Sequence, residues 1–375
     1  MLAVFDDAAT LRHALAFESA LACAEAETGV IGEGIAARIT AACASISIDS
    51  AELADEAALA GTLAIPLVAR LRAELSGDPE SARLVHHGAT SQDVADTVLM
   101  CQVQAASRLL LVDLDRTLAA LAVLAERYAG LPAIGRTLLQ DAIPIGFGLR
   151  FAQWLLGLAN AKARLVSETA AGVVLQFGGA AGTRAGLGGK GAEIAARMAE
   201  ALGLGVSVAP WHARRGNIAG IAASLGIVIG ALGKIARDVS LLAQNGVGEA
   251  REPAIPGRGG SSAMKHKRNP TGSQIALSAA LRAPGLVAGI LAGLPQEEER
   301  GLGGWQAEGP ALVDLFLLAS GAAAAIADIA EGLEIDEAAI ARNLARTGQD
   351  AGEGADIGES RAMVDAILAT YRSRF

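Results

Sequence analysis

A segment in the second half of the chain carries an unusual density of chemically reactive side chains. Residues 260–270 read Gly-Ser-Ser-Ala-Met-Lys-His-Lys-Arg-Asn-Pro, which places hydroxyl, ammonium, imidazole, guanidinium and amide groups side by side. The glycines that open the segment and the proline that closes it do not continue a helix, so we expect a loop. A cationic loop that bears serine suits an enzyme that binds an anionic substrate and moves a proton.

Basic segments form solvated surfaces or contact nucleic acid more often than they form the active-site loop of an enzyme. The chain has 375 residues, a formal net charge of -9 at pH 7 and a sequence pI near 5.2, which argues against a nucleic-acid partner. Cys23, Cys43 and Cys101 lack metal-ligand spacing and suggest a reducing compartment. The first residues show no basic segment followed by an apolar run, so we expect a cytoplasmic protein.

A second candidate segment reads His-His-Gly-Ala-Thr-Ser-Gln-Asp over residues 86–93. Thr90 and Ser91 stand just ahead of a long helical pattern, and hydroxyl groups with free backbone N–H groups at a helix start can bind a carboxylate. An ordinary helix cap would explain Ser91 and Asp93 equally well. It would not explain the His-His-Gly that comes directly before.

A third candidate segment, residues 135–148, carries Arg136, Thr137 and Gln140, which could hold an anion. Taken singly, it is better interpreted as a helix–helix connection whose proline and glycine start the next helix. The glycine-rich residues 178–191 could suggest a phosphate-binding loop. They follow a helical pattern rather than a strand, and no Gly-Lys-Ser/Thr appears, so an inter-helix turn is the default interpretation.

The composition predicts the elements that position these segments. Apolar residues make up 52% of the chain and aromatic residues only 3%, so strong helix formers such as Ala and Leu dominate. Helical patterns cover residues 10–27, 49–75, 92–129, 146–171, 191–202, 217–245, 270–294 and 311–332, and no period-two runs indicate a sheet. We therefore predict an all-α protein whose long helices form a bundle and share buried surface with partner subunits.

The apolar composition also raises the possibility of a membrane span. The longest uncharged apolar run, residues 218–233, is shorter than the roughly 20 residues that a spanning helix needs. We therefore expect it to lie inside a large soluble bundle, where helices are apolar on all sides.

Taken together and in this order, the three segments resemble the fumarase/aspartase superfamily. Residues 260–270 are close to its motif Gly-Ser-Ser-x-Met-Pro-x-Lys-x-Asn-Pro. Residues 87–93, 210–212 and 299–308 are most similar to the forms found in the 3-carboxy-cis,cis-muconate cycloisomerases, or carboxymuconate lactonizing enzymes. The resemblance implies a helical homotetramer with active sites shared between subunits, a small polycarboxylate substrate from aromatic-acid catabolism, and no cofactor or metal.

The resemblance covers about residues 17–346. It implies an N-terminal helical domain over residues 1–103, a long central helical bundle over residues 104–335, and a reduced C-terminal helical segment over residues 336–375. It also implies that Ser261 transfers a proton to or from carbon, that Lys267 and Asn269 bind substrate carboxylates, and that their loop is a lid.

The predicted site combines these roles with the polar residues of the other two segments. Its catalytic members are Ser261, Lys267 and His87, and its substrate-binding members are Thr90, Ser91, Gln92, Arg136, Thr137, Gln140, Ser262, Met264, His266, Asn269 and Arg300. His87 could instead be a buried, hydrogen-bonded histidine. We expect His13 and His212 to be structural, Asp93 and Asp96 to stabilise a helix, and Glu308 to cap a helix or hold an arginine.

Two departures from the superfamily pattern bear on the chemistry. Lys265 replaces the usual loop proline, and Leu138 stands where many elimination lyases of the superfamily carry histidine. Expelling an amine or hydroxide generally needs a proton donor, whereas a carboxylate leaves, or attacks, as a stable anion. The missing histidine therefore favours lactonisation. The alternatives are an elimination lyase similar to adenylosuccinate lyase, a cycloisomerase of another substituted muconate, and a non-catalytic helical assembly protein.

Overall fold

The computed structural model describes residues 1–260, 264, 267–348 and 355–374. In the described part the chain forms a short 3-10 helix, Leu2–Val4, and α-helices that confirm the all-α prediction. These are α1 Asp7–Glu27, α2 Glu33–Ser45, α3 Ser50–Ala60, α4 Ala64–Glu74, α5 Pro79–Leu84, α6 Ser91–Arg127, α7 Gly148–Gly172, α8 Gly191–Leu202, α9 Gly216–Leu242, α10 Thr271–Ala292, α11 Gly304–Gly332, α12 Glu337–Ala345 and α13 Ser360–Arg374. Short strands β1 Pro132–Thr137, β2 Gln140–Gly146, β3 Ala250–Arg251 and β4 Glu334–Ile335 lie between them.

The chain divides into two compact units. The first unit contains Met1–Arg108, Glu168–Ile221 and Ala288–Val313, and the second contains Leu109–Ser167, Ala222–Val287 and Asp314–Phe375. In the first unit, α1 packs against α2 and α8 around residues such as Phe17, Leu21 and Ile39, none of which is more than 1% exposed. α1 is capped at its start by Asp6, whose carboxylate accepts from the backbone N–H of Ala9.

The second unit gathers most of the aromatic residues of this aromatic-poor chain. Phe147, Phe151 and Trp154 stack edge to face along the start of α7, and Tyr128 packs against the first two of them. Full burial of a Phe side chain contributes about 1.5–3 kcal/mol. Leucines along α6 and α9 continue this core, including Leu114, Leu118, Leu225 and Leu232.

Helix boundaries differ from the prediction where glycine or packing decides them. The predicted helix over residues 49–75 is two helices, α3 and α4, because Gly61 takes a left-handed conformation (φ 70°) that ends α3. In contrast, α11 begins at Gly304, seven residues before its predicted start, and carries Pro310 inside it. Pro310 lies in the second turn of the helix, where its missing N–H removes one helical hydrogen bond.

The hairpin of β1 and β2 is the main element that the sequence analysis missed. The strands pair antiparallel from Pro132↔Gly146 to Thr137↔Gln140, with a register shift between Ile134 and Arg136. The two-residue turn consists of Leu138 (φ 52°) and Leu139 (φ 63°), both in the left-handed region. Such turns usually carry Asn-Gly, so a Leu-Leu turn gives no sequence signal for a hairpin.

Within the described residues, three helices are apolar enough and long enough to cross a membrane by length and composition alone. They are α9, α10 and α11, with mean hydropathy of 2.0, 1.8 and 1.9. The expectation that the apolar run is too short for a span is wrong for α9, which extends beyond it to 27 residues. In the most apolar stretch of each helix, 61% of α9 and 56% of α11 are buried in the protein, but only 22% of α10.

Candidate active site

The helix start at Thr90 and Ser91 is held by one buried carboxylate. Asp93 Oδ2 accepts from the backbone N–H of Thr90 at 3.0 Å and of Gly179 at 2.9 Å. Its Oδ1 accepts from the backbone N–H of Gly178 at 2.9 Å and lies 2.7 Å from His212 Nε2. Asp93 is therefore more than a helix cap, because it ties the first turn of α6 to the glycine-rich segment and to a buried histidine.

The glycine-rich residues 178–191 thus serve the protein itself. Gly179 adopts φ 71°, and a Cβ there would lie 2.7 Å from the carbonyl oxygen of Gly88. Only glycine allows this approach between the two segments. The N–H groups of Gly178 and Gly179 are occupied by Asp93, which agrees with an inter-helix turn rather than a phosphate loop.

A second buried network lies one turn further along α6. Arg215, 1% exposed, donates two hydrogen bonds to Asp96 at 2.7 and 2.8 Å and one to Glu308 at 2.8 Å. Its guanidinium also stacks 4.8 Å from the centre of the Trp211 ring. Burial raises the pKa of Glu308, although Arg215 opposes this shift. The prediction that Glu308 holds an arginine is confirmed.

Gln92 belongs to the same network. Its side chain is buried, and Nε2 donates to Asp96 Oδ2 at 3.2 Å and to the carbonyl of His212 at 3.0 Å. Gln92 is a predicted substrate-binding residue, and here its side-chain amide bonds within the protein. A residue without exposed surface supports the helix start from within the protein.

Thr90 and Arg300, which are far apart in the sequence, lie in contact. Arg300 Nη1 donates to Thr90 Oγ1 at 2.9 Å, and Nη2 donates to the carbonyl of Ala180. Both side chains are only partly buried, as is Ser91 at the first position of α6. The structure therefore brings two predicted substrate-binding residues, Thr90 and Arg300, into contact just before the start of α6, where a guanidinium, a hydroxyl and a helix start can meet an anion.

The two histidines before Thr90 each pair with a carboxylate of α1. His86 Nδ1 lies 2.6 Å from Glu18 Oε1, and His87 Nδ1 lies 2.7 Å from Glu25 Oε1. Burial lowers the pKa of His86, but the bond to Glu18 outweighs it and the net shift is upward. Burial raises the pKa of Glu25 despite the opposing bond to His87. Glu18 and Glu25 belong to no sequence motif, and their only signal in the sequence is a seven-residue spacing on one helix face.

In the second unit, Arg136 is engaged by carboxylates. It donates to both oxygens of Glu249 at 3.0 and 2.6 Å and to Asp141 at 3.2 Å. Glu249 also accepts from Arg150 at 3.1 Å and from Asn343 at 2.8 Å. Arg136 is predicted to bind substrate, and most of its donors are satisfied within the protein.

Thr137 and Gln140 flank the hairpin tip, where Leu138 is 96% and Leu139 is 76% exposed. The hairpin lines an open cavity of about 950 Å³, which also contacts α7 and α9. Its lining includes four cationic residues, namely Arg136, Arg150, Lys234 and Arg346. Thr137 and Gln140 line it as well, so the third candidate segment, residues 135–148, borders a space large enough for a small acid.

The cationic loop is described only in part. Ser261, Ser262, Lys265 and His266 lie outside the described residues, whereas Lys267 is exposed and Met264 is 43% exposed. At the base of the loop, the N–H of Asn269 donates to the carbonyl of Gly259 at 2.8 Å. Two ion pairs, Arg258–Asp328 and Arg268–Glu334, hold the flanks. Within the part of the chain that the structure describes, no group of acidic, histidine or cysteine side chains could hold a metal ion.

Comparison with known proteins places this geometry in a family. The family model described as lyase matches residues 1–285. The chain belongs to the lyase family. It is 49% identical to the 3-carboxy-cis,cis-muconate cycloisomerase of Bradyrhizobium diazoefficiens over 92% of this chain and 77% of that protein. It is also 39% identical to the nitrosuccinate lyase of Streptomyces davaonensis over 92% of this chain and 75% of that protein.

A solved structure supports the same assignment. The crystal structure of the 3-carboxy-cis,cis-muconate lactonizing enzyme from Pseudomonas putida aligns with a TM-score of 0.93 and 36% identity. The alignment covers 100% of this chain and 97% of that one. The predicted resemblance to the cycloisomerases of the fumarase/aspartase superfamily is confirmed.

Proposed function

We propose that this chain is a cycloisomerase that interconverts 3-carboxy-cis,cis-muconate and 4-carboxymuconolactone without a cofactor. The observation that carries the proposal is the 49% identity to a 3-carboxy-cis,cis-muconate cycloisomerase over 92% of the chain. The contact between Thr90 and Arg300 supports it, since two residues assigned to the substrate from separate motifs lie 2.9 Å apart.

The substrate carries three carboxylates, which require several cations and donors. Thr90, Ser91 and Arg300 form one anion-binding face, and His87 precedes it by three residues. Lys267 is exposed on the cationic loop and Asn269 lies at its base, and we assign both to carboxylate binding. Prearranged donors of this kind stabilise the negative charge that develops on a substrate carboxylate during the reaction.

The reaction itself needs little activation. One substrate carboxylate attacks its own conjugated double bond, and the new C–O bond pushes an electron pair toward the carbon next to another carboxylate. That carbon then takes a proton, which we assign to the hydroxyl of Ser261, and Ser261 regains a proton from water before the next turnover. The attacking carboxylate has a reference pKa near 4 and is already ionised at neutral pH. Leu138, exposed at the hairpin tip, cannot donate a proton, which suits a reaction that has no amine or hydroxide to expel.

Exposed apolar surface supports a homotetramer with shared active sites. The most apolar stretch of α10 is only 22% buried, and Leu281 on it is 79% exposed. Exposed apolar surface of this kind commonly marks a protein interface. We propose that partner subunits cover it and that the assembled enzyme works in the cytoplasm, where free cysteines such as Cys43 persist.

The direct test is the ultraviolet absorbance of the substrate. Purified wild-type protein should abolish the conjugated diene absorbance of 3-carboxy-cis,cis-muconate and release the lactone, which liquid chromatography would identify. Ser261→Ala should lower kcat about 100- to 10,000-fold, the usual contribution of a positioned proton donor, with an unchanged circular dichroism spectrum. Near-wild-type turnover in this variant would exclude Ser261 as the proton donor.

Shared sites have a separate test. Ser261→Ala and Thr90→Ala alter different motifs, so mixed tetramers should regain activity if each site draws these residues from different subunits. The two inactive variants would be unfolded together and refolded, with each variant refolded alone as the control. Light scattering would measure the assembly. No recovery in confirmed mixed tetramers would contradict shared sites.

An elimination lyase is the second candidate, and the 39% identity to a nitrosuccinate lyase favours keeping it. Succinate derivatives that carry a nitro or amine leaving group, adenylosuccinate among them, would then yield fumarate, which absorbs in the ultraviolet and can be identified by chromatography. A muconate with another substituent is a third possible substrate. Turnover of a succinate derivative at a higher kcat/KM than the carboxymuconate would replace the proposed activity.

A further inference from the structure

Helix α1 presents two buried carboxylates to the two histidines that precede Thr90. Glu18 and Glu25 are seven residues apart, about two helical turns, so they lie on one face of α1. Neither side chain has exposed surface, and each bonds the Nδ1 atom of one histidine, His86 or His87, at 2.6 or 2.7 Å. The pattern is a pair of His–carboxylate contacts at the two residues that begin the segment of Thr90.

These carboxylates are costly to bury. In the part of the chain that the structure describes, the second oxygens of Glu18 and Glu25 are buried and have no hydrogen-bond partner. A buried carboxylate that is not fully hydrogen-bonded destabilises the folded protein. A neutral side chain could fill the same space at lower cost, so packing alone does not account for two acids at these positions.

The two histidines differ in where their free nitrogen lies. The His86 side chain is 14% exposed, whereas that of His87 is 31% exposed. Nδ1 of His87 bonds the buried Glu25, which leaves Nε2 as the ring nitrogen that can meet a ligand. Among the described residues this nitrogen has no hydrogen-bond partner, and His87 lies in a turn with Gly88 (φ 69°) that ends two residues before Thr90. His87 therefore offers a ring nitrogen three residues before Thr90, the residue that Arg300 contacts.

We infer that Glu25 is a positioning residue that fixes the His87 ring, so that Nε2 faces a substrate carboxylate bound at Thr90 and Arg300. A carboxylate at Nδ1 orients an imidazole and stabilises its protonated form, in which both nitrogens donate hydrogen bonds. His87 then donates to the anionic substrate, while Glu25 acts only through His87. The inference rests on the proposed function, because it takes the ligand to be a polycarboxylate.

A double-mutant cycle tests this dependence. Glu25→Ala and His87→Ala should each lower kcat/KM about 10- to 100-fold, the range expected for a hydrogen bond to a charged group. The loss should appear mainly as a higher KM, because the contact is made in the bound substrate as well as in the transition state. The double variant should be no worse than His87→Ala, since Glu25 has no effect without the ring. Losses that multiply would overturn the inference and assign Glu25 a general structural role.

Two further variants keep the test decisive. Glu27→Ala removes an exposed carboxylate of the same helix, paired with Arg197, and should leave kcat/KM unchanged. Glu25→Gln keeps an acceptor oxygen without the charge and should lose less activity than Glu25→Ala. If Glu25→Ala does not fold, Glu25→Gln takes its place in the double-mutant cycle.

A structural readout separates this inference from the proposed function. Wild-type protein that converts no carboxymuconate would contradict the proposed function. Crystals of the Glu25→Ala and Glu25→Gln variants would still decide the role of Glu25. A His87 ring that turns away in the alanine variant and stays in place in the glutamine variant supports it. A ring that keeps its wild-type orientation without any acceptor at position 25 overturns it, whatever the activity.

Discussion

Asp93→Asn is the substitution whose consequence follows most directly from the geometry. The wild-type carboxylate accepts four hydrogen bonds, two at each oxygen, from donors at 2.7–3.0 Å. An asparagine keeps one accepting oxygen and replaces the other with an NH₂ group. If NH₂ replaces Oδ2, it faces the N–H groups of Thr90 and Gly179, neither of which can accept. If NH₂ replaces Oδ1, it faces the N–H of Gly178 and His212, which can accept after a change of tautomer.

The orientation with NH₂ in place of Oδ1 costs less free energy, so it sets the expected loss of stability. It leaves one buried N–H without an acceptor, which costs about 1–3 kcal/mol. It also removes the negative charge from the bond to His212, and hydrogen bonds to charged groups contribute about 1.5–3 kcal/mol. We therefore expect the free energy of unfolding to fall by about 3–5 kcal/mol. Asp93→Ala should cost more, because all four partners lose their acceptor.

Thermal unfolding at a fixed protein concentration would measure the loss, since assembly makes the melting temperature concentration-dependent. The expected decrease corresponds to roughly 4–6 °C for a chain of this size. Asp115→Asn is the matched control, because Asp115 lies on the same helix, is 58% exposed and pairs with Lys162. It should change stability by less than about 1 kcal/mol. A melting temperature for Asp93→Asn within about 2 °C of that of Asp115→Asn would mean that the buried carboxylate contributes no more than a weak exposed ion pair. That result would refute the reasoning.

Three other predictions follow from the structure. Burial raises the pKa of Glu249, but bonds from Arg136, Asn343 and Arg150 outweigh it and hold the pKa below its usual range. The ionised Glu249 therefore stabilises the folded protein at pH values above its unfolded pKa, near 4.3, and this stabilisation is lost as the pH falls through its lower folded pKa. Below about pH 5, the melting temperature of the wild type should therefore fall faster with acidification than that of Glu249→Gln. Replacing Leu138 and Leu139 together by Asn and Gly should raise the free energy of unfolding by about 1–3 kcal/mol in urea titrations, because both leucines are left-handed. Burial raises the pKa of Cys43 to about 12 and of Cys101 to about 11, so at pH 8 a disulfide reagent should modify at most Cys23 quickly and all three thiols only after unfolding.

The helical fold was predictable because helix formers dominate and the helical patterns are long. α8 agrees with its prediction at both ends, residues 191 and 202. The hairpin was not predictable, because its tip combines two leucines with positive φ, and a turn of that kind is normally identified by Asn-Gly. Its conformation depends on the surrounding packing, including Gly135, where a Cβ would lie 2.8 Å from the carbonyl oxygen of Ile143. Tertiary contacts of this kind leave no local sequence pattern.

The site was predictable in the residues that a motif names but not in those that support them. Thr90 and Arg300 came from separate motifs, and they lie in contact. The carboxylates that engage Arg136, His86 and His87 come from Glu249, Glu18 and Glu25, which are 62 to 113 residues away in the sequence. Isolated acids on helices have no motif, so only the folded chain shows which histidine or arginine each one contacts.

The distribution of buried charge explains how a chain poor in aromatic residues can hold its binding loops in place. Asp93 fixes the start of α6, and Arg215 joins α6 to α11 through Asp96 and Glu308. Both networks join segments of the chain through buried hydrogen bonds and ion pairs, at places where large apolar side chains could have joined them by packing. A buried ion pair contributes little to stability compared with a well-packed apolar replacement, but breaking one side of it is severe. Such networks therefore fix the geometry of the loop residues rather than add stability, and that geometry is what binding a rigid, multiply charged substrate requires.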